Sequence, residues 1–219
     1  MACTQASQFP FWDKLTDAQR ALACSQARDV HFAAGEVVHS PGANCLGLLL
    51  VKSGALRAFF LSSEGREATV ARVRAGDVCV LAAGCVMNSL SWDAQIEAEE
   101  DSRVVVLPSS ALSPLMRENP YVESYVYRTA TEGFSDVMNA VERLLFSSLE
   151  QRVAAFLLDE AARLESDEIR ITQEQIARHI GSAREAVTRT LKQMAREGLV
   201  EVFRGGIRLA DRRALYALC

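Results

Sequence analysis

Four residues near the C-terminal end have the types and spacing needed to read nucleic-acid bases. Arg184, Glu185 and Thr188 fall along one stripe of a helix with 3.6 residues per turn, and Arg189 lies a turn further on. An arginine fork matches guanine O6 and N7, and a carboxylate accepts a hydrogen bond from cytosine N4. A glutamate aimed only at phosphates is repelled, so Glu185 among arginines points to base edges. The competing reading is a solvated pair of Glu185 with Arg189 at i, i+4, worth about 0.2–0.5 kcal/mol. Gln173, Arg178, Ser182, Lys192 and Arg204 lie nearby in the chain and are of types that bond phosphate oxygens, as is Arg208.

These residues need a scaffold, and the surrounding pattern supplies one. Thr172 followed by Gln175 is a capping box that starts a short helix with Ile176, Ala177 and Ile180 inward. Gly181 ends it, because a sharp turn favours a residue without a Cβ. A second helix, from about Ala183 to Glu197, turns Ala186, Val187, Leu191 and Met194 inward, and Gly198 closes it. Leu199–Phe203 and Ile207–Leu209 flank Gly205-Gly206, a two-residue hairpin signal. The order is helix, tight turn, helix, hairpin. Ala177, Gly181 and Val187 are the small, turning and buried positions of a helix-turn-helix.

Upstream, Tyr121 to Leu158 contains no proline and one glycine, Gly133, which predicts helix with a break at Ser147-Ser148. Tyr127, Ala130, Phe134, Val137, Val141 and Leu144 recur at threes and fours, a seam along which two helices pack. Met138 and Leu145 widen the stripe, so the helix has apolar surface for both its own domain and a partner. The first 110 residues predict short strands, because glycines at 35, 42, 54, 65 and 76 separate β-rich runs such as Leu46–Val51, Ala55–Leu61, Ala68–Val73 and Arg103–Leu107.

With 219 residues, 49% hydrophobic and 24% charged, the chain is no disordered, collagenous or mucin-like polymer. Its longest uncharged run, Val78 to Trp92, is 15 residues, shorter than a membrane span needs. No basic n-region or apolar h-region opens the chain, and a cytoplasmic protein without membrane contact is expected. Six scattered cysteines and three histidines lack short pairings, so free thiols and no zinc site are expected. From Ile169 to Arg213 ten Lys and Arg face five Asp and Glu, which leaves −9 on the remainder of a chain of net charge −4. A basic module for a polyanion on an acidic body fits that asymmetry.

The chain resembles the CRP/FNR (cyclic-AMP receptor protein / fumarate-nitrate reductase regulator) family of bacterial transcription regulators. The resemblance is carried by Gly35-Glu36, Gly54, Gly65-Arg66-Glu67 and Gly76-Asp77, and by Ser182-Ala183-Arg184-Glu185-Ala186-Val187-Thr188-Arg189; it covers all but the first 15 or so residues. It implies an α+β chain with an N-terminal β-roll sensor over residues 1–118, a dimerisation helix over 119–147 and a C-terminal winged helix-turn-helix over 148–219. It further implies a homodimer on palindromic double-stranded DNA with a TGTGA-like half-site, RNA polymerase as a further partner, a small-molecule effector and no enzymatic role. The rival reading is a cytosolic ligand-binding or enzymatic β-barrel with a structural helical tail. No Ser/His/Asp or paired-carboxylate grouping has spacing that supports it.

By the same resemblance, cyclic-nucleotide members carry a glutamate shortly after the Gly-Asp corner, then an Arg-Ser or Arg-Thr pair for the phosphate. Here no acid follows Asp77 until Asp93, and the pair position falls near Trp92-Asp93, where a carboxylate repels phosphate. Cyclic AMP is not expected. An iron–sulfur cluster needs four thiolates, mostly near the N-terminus, and only Cys3 lies there. The candidate effector pocket is Cys79, Leu81, Cys85, Met87, Leu90 and Trp92. A small apolar or aromatic ligand, a haem held by a cysteine or histidine, a thiol switch at Cys79 and Cys85, and two plain core cysteines all remain open.

Overall fold

The computed structural model describes residues 5–43, 45–83 and 94–219. Two compact units divide the chain, Met1–Phe60 with Val70–Met138, and Leu61–Thr69 with Asn139–Cys219. The boundary lies inside a long helix, not at either end of it.

The N-terminal unit opens with a helix that the glycine-punctuated pattern concealed, α1 (Asp17–Gln26). Thr16 and Gln19 form its capping box. Eight strands follow, β1 (Arg28–Phe32), β2 (Val37–His39), β3 (Leu48–Ser53), β4 (Ala55–Leu61), β5 (Glu67–Arg74), β6 (Val78–Cys79), β7 (Gln95–Ala98) and β8 (Ser102–Leu107). They form two four-stranded sheets of order β1-β8-β3-β6 and β2-β7-β4-β5. The pairings resolved are antiparallel, such as Leu49 opposite Val106 and Arg57 opposite Glu97. Gly54, between β3 and β4, has φ +82°, and a Cβ there would meet Ser102 Oγ at 2.3 Å, so the strand junction accepts no side chain.

Two helices complete this unit's core, α2 (Ser109–Glu118) and the start of α3 (Pro120–Phe146). Leu48, Leu50, Val105 and Leu107 from the sheet pack with Leu112, Leu115, Val122, Val126 and Ala130 from the helices. Phe9 and Phe11, stacked at 5.5 Å, belong to the same core, and Phe11 meets the Tyr125 ring edge-on. Ala6, Phe9, Phe11 and Leu15, in the segment unassigned by sequence, therefore close the core. Nothing periodic in them signals this.

The C-terminal unit runs α4 (Leu149–Leu164), β9 (Glu168–Ile169), α5 (Gln173–Ile180), α6 (Arg184–Arg196), β10 (Val200–Phe203), β11 (Gly206–Leu209) and α7 (Arg212–Leu218). Ser148 caps α4 through a box with Gln151, which confirms the expected break. Strands in the order β10-β11-β9 make a small sheet. The hairpin turn is Arg204-Gly205, not Gly205-Gly206, because Gly206 already pairs with Phe203. A Cβ at Gly206 would meet the Phe203 ring at 2.4 Å and the Ile169 carbonyl oxygen at 2.6 Å. Val153, Leu157, Ile176, Val187, Leu191, Met194, Ile207 and Leu215 share one core. Among the described residues no helix is long and apolar enough to cross a membrane.

Cys24 and Cys45 each take part in a disulfide bond, which corrects the expectation of free thiols. Scattered spacing does not show which cysteines folding brings within bonding reach. Cys79 and Cys219 are free. Phe9 is 2% exposed, so Phe9→Ala should lower unfolding free energy by about 3–5 kcal/mol in urea titration. A loss below 1 kcal/mol would mean that the N-terminal segment is not part of the cooperative core.

Candidate nucleic-acid interface

Helix α5 begins at a reciprocal cap. Gln175 N–H donates to Thr172 Oγ1 at 3.2 Å, and Thr172 N–H donates to Gln175 Oε1 at 2.9 Å. It ends at Gly181, whose φ of +66° places it in the left-handed region. Gly181 and Ser182 N–H both reach the Ala177 carbonyl oxygen. Arg152 on α4 donates through Nη1 to the Ile180 carbonyl oxygen at 2.9 Å. Burial holds the Arg152 guanidinium below its ordinary pKa.

The chain then enters α6, and three fully buried residues, Val187, Leu191 and Met194, fix its inner face. Ala186, expected inward, is only half-buried. Arg184, Glu185, Arg189 and Lys192 are exposed along α6, and Arg204 is exposed at the hairpin tip. Among the described residues these five make no ion pair or side-chain hydrogen bond. The i, i+4 pairing of Glu185 with Arg189 is therefore not formed.

Thr188, Gln173 and Ser182 are half-buried. Thr188 Oγ1 lies 2.6 Å from Gln173 Oε1 and 2.8 Å from the Arg184 carbonyl oxygen. Arg178 is exposed, but its Nε and Nη2 donate to Glu67 Oε1 at 3.2 and 2.8 Å. Beside it, His179 stacks on Phe156 with ring centroids 5.1 Å apart and meets Thr69 Oγ1 at 3.4 Å. Glu67 and Thr69 belong to the same compact unit as the helix-turn-helix, although about 110 residues separate them from it.

Further basic residues have partners too. Arg208 meets Glu201 at 3.0 Å and Glu168 at 3.4 Å, Arg170 meets Glu168 at 2.7 Å, and Arg212 pairs with Asp167. Asp167, Glu168 and Glu67 lie outside the basic sequence window, and folding brings them onto it. The uncommitted positive surface is thus smaller than the window's surplus of five.

The N-terminal unit holds a cavity of 480 Å³ between β5, the corner after it and α3. Cys79 and Leu81 line it as expected; Cys85, Met87, Leu90 and Trp92 lie outside the described residues. The described wall is more charged than expected, with Arg72, Asp77, Arg128, Glu132 and Asp136. Arg72 is bonded to Glu99 at 3.1 Å, and the Arg128 guanidinium lies over the Tyr125 ring. Burial pushes the Cys79 thiol up to about 11, partly offset by the backbone of Leu81 and Ala82. A neutral buried thiol is a small apolar group and a poor nucleophile.

The seam residues of α3 separate into two faces. Ala130 and Val137 are buried with Val122, Val126 and Ala140, whereas Tyr127, Phe134, Met138 and Leu145 are exposed by 43–69%. Val141 and Leu144 are half-buried.

A family model for the cyclic nucleotide-binding domain matches residues 29–119, and one for the Crp-like helix-turn-helix domain matches residues 151–218. A crystal structure assigned to a CRP/FNR-family transcriptional regulator from Eubacterium rectale aligns with a TM-score of 0.92 at 40% identity, over 97% of this chain and 98% of that one. The transcriptional regulator SdrP of Thermus thermophilus is 28% identical over 89% of this chain and 96% of its own length. The nitrogen fixation regulation protein FixK of Bradyrhizobium diazoefficiens is 27% identical over 87% of this chain and 81% of its own.

At pH 8, iodoacetamide should alkylate exposed Cys219 in the native protein, more slowly than an ordinary thiol because partial burial and Asp159 push its pKa up, and leave Cys79 unmodified until denaturant is added. Peptide mapping reads both sites, and prompt native labelling of Cys79 would show that the cavity wall opens.

Proposed function

The chain belongs to the CRP/FNR family of transcription regulators and carries that family's helix-turn-helix DNA-binding domain; on that premise, we propose that it is a homodimeric regulator that reads a palindromic DNA site and answers to an effector in its N-terminal cavity. One observation carries the DNA reading. Arg184, Glu185 and Arg189 stand exposed on α6 with no protein partner among the described residues, above an inner face fixed by buried apolar residues. An exposed arginine fork without a carboxylate is available for guanine, and an exposed glutamate for cytosine. Lys192, Arg204, Ser182 and the remaining amide hydrogens of Gln173 hold phosphates and set the register. The named relatives are regulators, and none supports the rival enzymatic barrel.

The exposed face of α3 supports the homodimer. Its aromatic, methionine and leucine side chains pack against the same face of a second copy about a two-fold axis. A two-fold dimer on DNA places its half-sites about 34–36 Å apart, one helical turn. RNA polymerase is the further partner that the family membership suggests.

The cavity suits an effector other than a cyclic phosphodiester. A phosphate there would face Asp77, Glu132 and Asp136, while Arg72 is already engaged by Glu99 and the Arg128 guanidinium lies over the Tyr125 ring. Such an effector acts by binding one arrangement of the reading heads better than another. An absorption spectrum of the purified protein separates a haem from a colourless ligand.

Selection from random DNA tests the site. An imperfect palindrome with a TGTGA-like half-site is expected, and Arg184→Ala should cost about 1–3 kcal/mol while relaxing preference at a single position. An asymmetric site, or a palindrome unchanged by Glu185→Ala, would defeat the assignment. Replacing Phe134 and Met138 with glutamate should give monomers by light scattering; a persisting dimer would place the interface elsewhere. Glu67→Gln removes the carboxylate that competes for Arg178, so the salt slope of DNA binding should steepen by about one unit. An unchanged slope would mean that Arg178 meets no phosphate.

A further inference from the structure

The hydroxyl of Thr188 carries one hydrogen and faces two acceptors. One is the Arg184 carbonyl oxygen at 2.8 Å, the back-bond that threonine commonly makes within a helix. The other is Gln173 Oε1 at 2.6 Å, which crosses from α6 to the first residue of α5. That residue is itself held, since it follows the Thr172 cap whose box with Gln175 sets the first turn of α5. The start of α6 has no equivalent, because its N-cap is Ala183, which offers no capping side chain.

Two kinds of contact therefore hold α6. The buried face of Val187, Leu191 and Met194 fixes its distance from the core, but apolar burial is non-directional and leaves some freedom of rotation about the helix axis. A hydrogen bond is directional. We propose that Thr188 and Gln173 form a pin that fixes the rotation of α6, so that Thr188 is a positioning residue for base reading and not itself a base reader. The pin rests on the reading of α6 as the helix that enters the groove. A base acceptor seeking the Thr188 hydrogen would have to displace Gln173. The bidentate fits of Arg184 and Arg189 need their geometry held within about 0.5 Å and 10–20°. The pin lies between these two arginines in sequence, and their long side chains carry the guanidinium groups far from the helix axis, where rotation displaces them most.

The experiment compares Thr188→Val, which keeps the shape and removes the hydroxyl, with Thr188→Ser, which keeps the hydroxyl. Each is run through selection from random DNA and titration on the wild-type site. Thr188→Val should weaken that site about tenfold, lower preference at every base position of the half-site together, and leave non-specific affinity and salt slope unchanged. Thr188→Ser should stay within about twofold of wild type. The Gln173→Leu, Thr188→Val double variant should be no weaker than Gln173→Leu alone, because both remove the same bond. A Thr188→Val profile altered at one base pair only, a profile and affinity identical to wild type, or failure of Thr188→Ser to restore binding would overturn the pin and leave the DNA reading in place. A wild-type chain that selects no sequence would overturn both.

Discussion

The corner between α5 and α6 is held by one backbone conformation and one charged hydrogen bond. Gly181 is left-handed, and a Cβ there would press on Ala68 and Leu144 at 3.1 Å, so the turn depends on a residue without a side chain. Arg152 Nη1 bonds the Ile180 carbonyl oxygen immediately before it. A cation at a helix C-terminus opposes the negative end of the helix dipole, and partial burial strengthens the effect. Arg152 accepts the cost of desolvation for this position, since its Nε is buried without a bond among the described residues. The direction in which α6 leaves the corner follows from these two features.

The same division of labour recurs in both functional helices. A helix has room for an apolar stripe facing its own core and a second face with other work. In α6 the second face is charged and carries Arg184, Glu185 and Arg189. In α3 it is apolar, with Tyr127, Phe134, Met138 and Leu145 exposed outside a buried row of Val122, Val126, Ala130 and Val137. Large apolar side chains so exposed on a 27-residue helix, Tyr127, Met138 and Leu145 among them, mark a surface suited to a partner. The two outward faces therefore suit different partners, α6 a polyanion and α3 a second apolar helix.

Features with short-range periodicity were legible in the sequence. The capping box at Thr172, the turn at Gly181, the three inward residues of α6 and the break at Ser148 all follow from spacings of three or four. The α3 seam was legible as an apolar stripe wide enough for both its own domain and a partner, but not which residues take which face, because heptad spacing alone does not say which row meets the chain's own core. Helices α1, α2 and α7 were missed. The first has its own box at Thr16 and Gln19, and the last begins at Asp211, which accepts from Ala214 N–H; both signals were available. Phe9 in the core, the engagement of Thr188 by Gln173, and the disulfide-bonded state of Cys24 and Cys45 depend on contacts between distant positions, which no local pattern encodes.

Charge shows most clearly how folding revises a sequence reading. A window count treats every arginine alike, yet Arg170, Arg208 and Arg212 are neutralised by Glu168, Glu201 and Asp167 around the small sheet, and Arg178 by Glu67. Non-specific affinity for DNA grows with the number of phosphates a protein neutralises. With four basic side chains already engaged, the six cations left in this window are Arg184, Arg189, Lys192, Arg196, Arg204 and Arg213, and two of these six lie on the stripe suited to bases. On the reading of α6 as the helix that enters the groove, the protein would grip phosphates with the four that lie off that stripe and read bases with the two on it and Glu185. Its discrimination therefore depends on how accurately α6 is aimed more than on how positive its surface is.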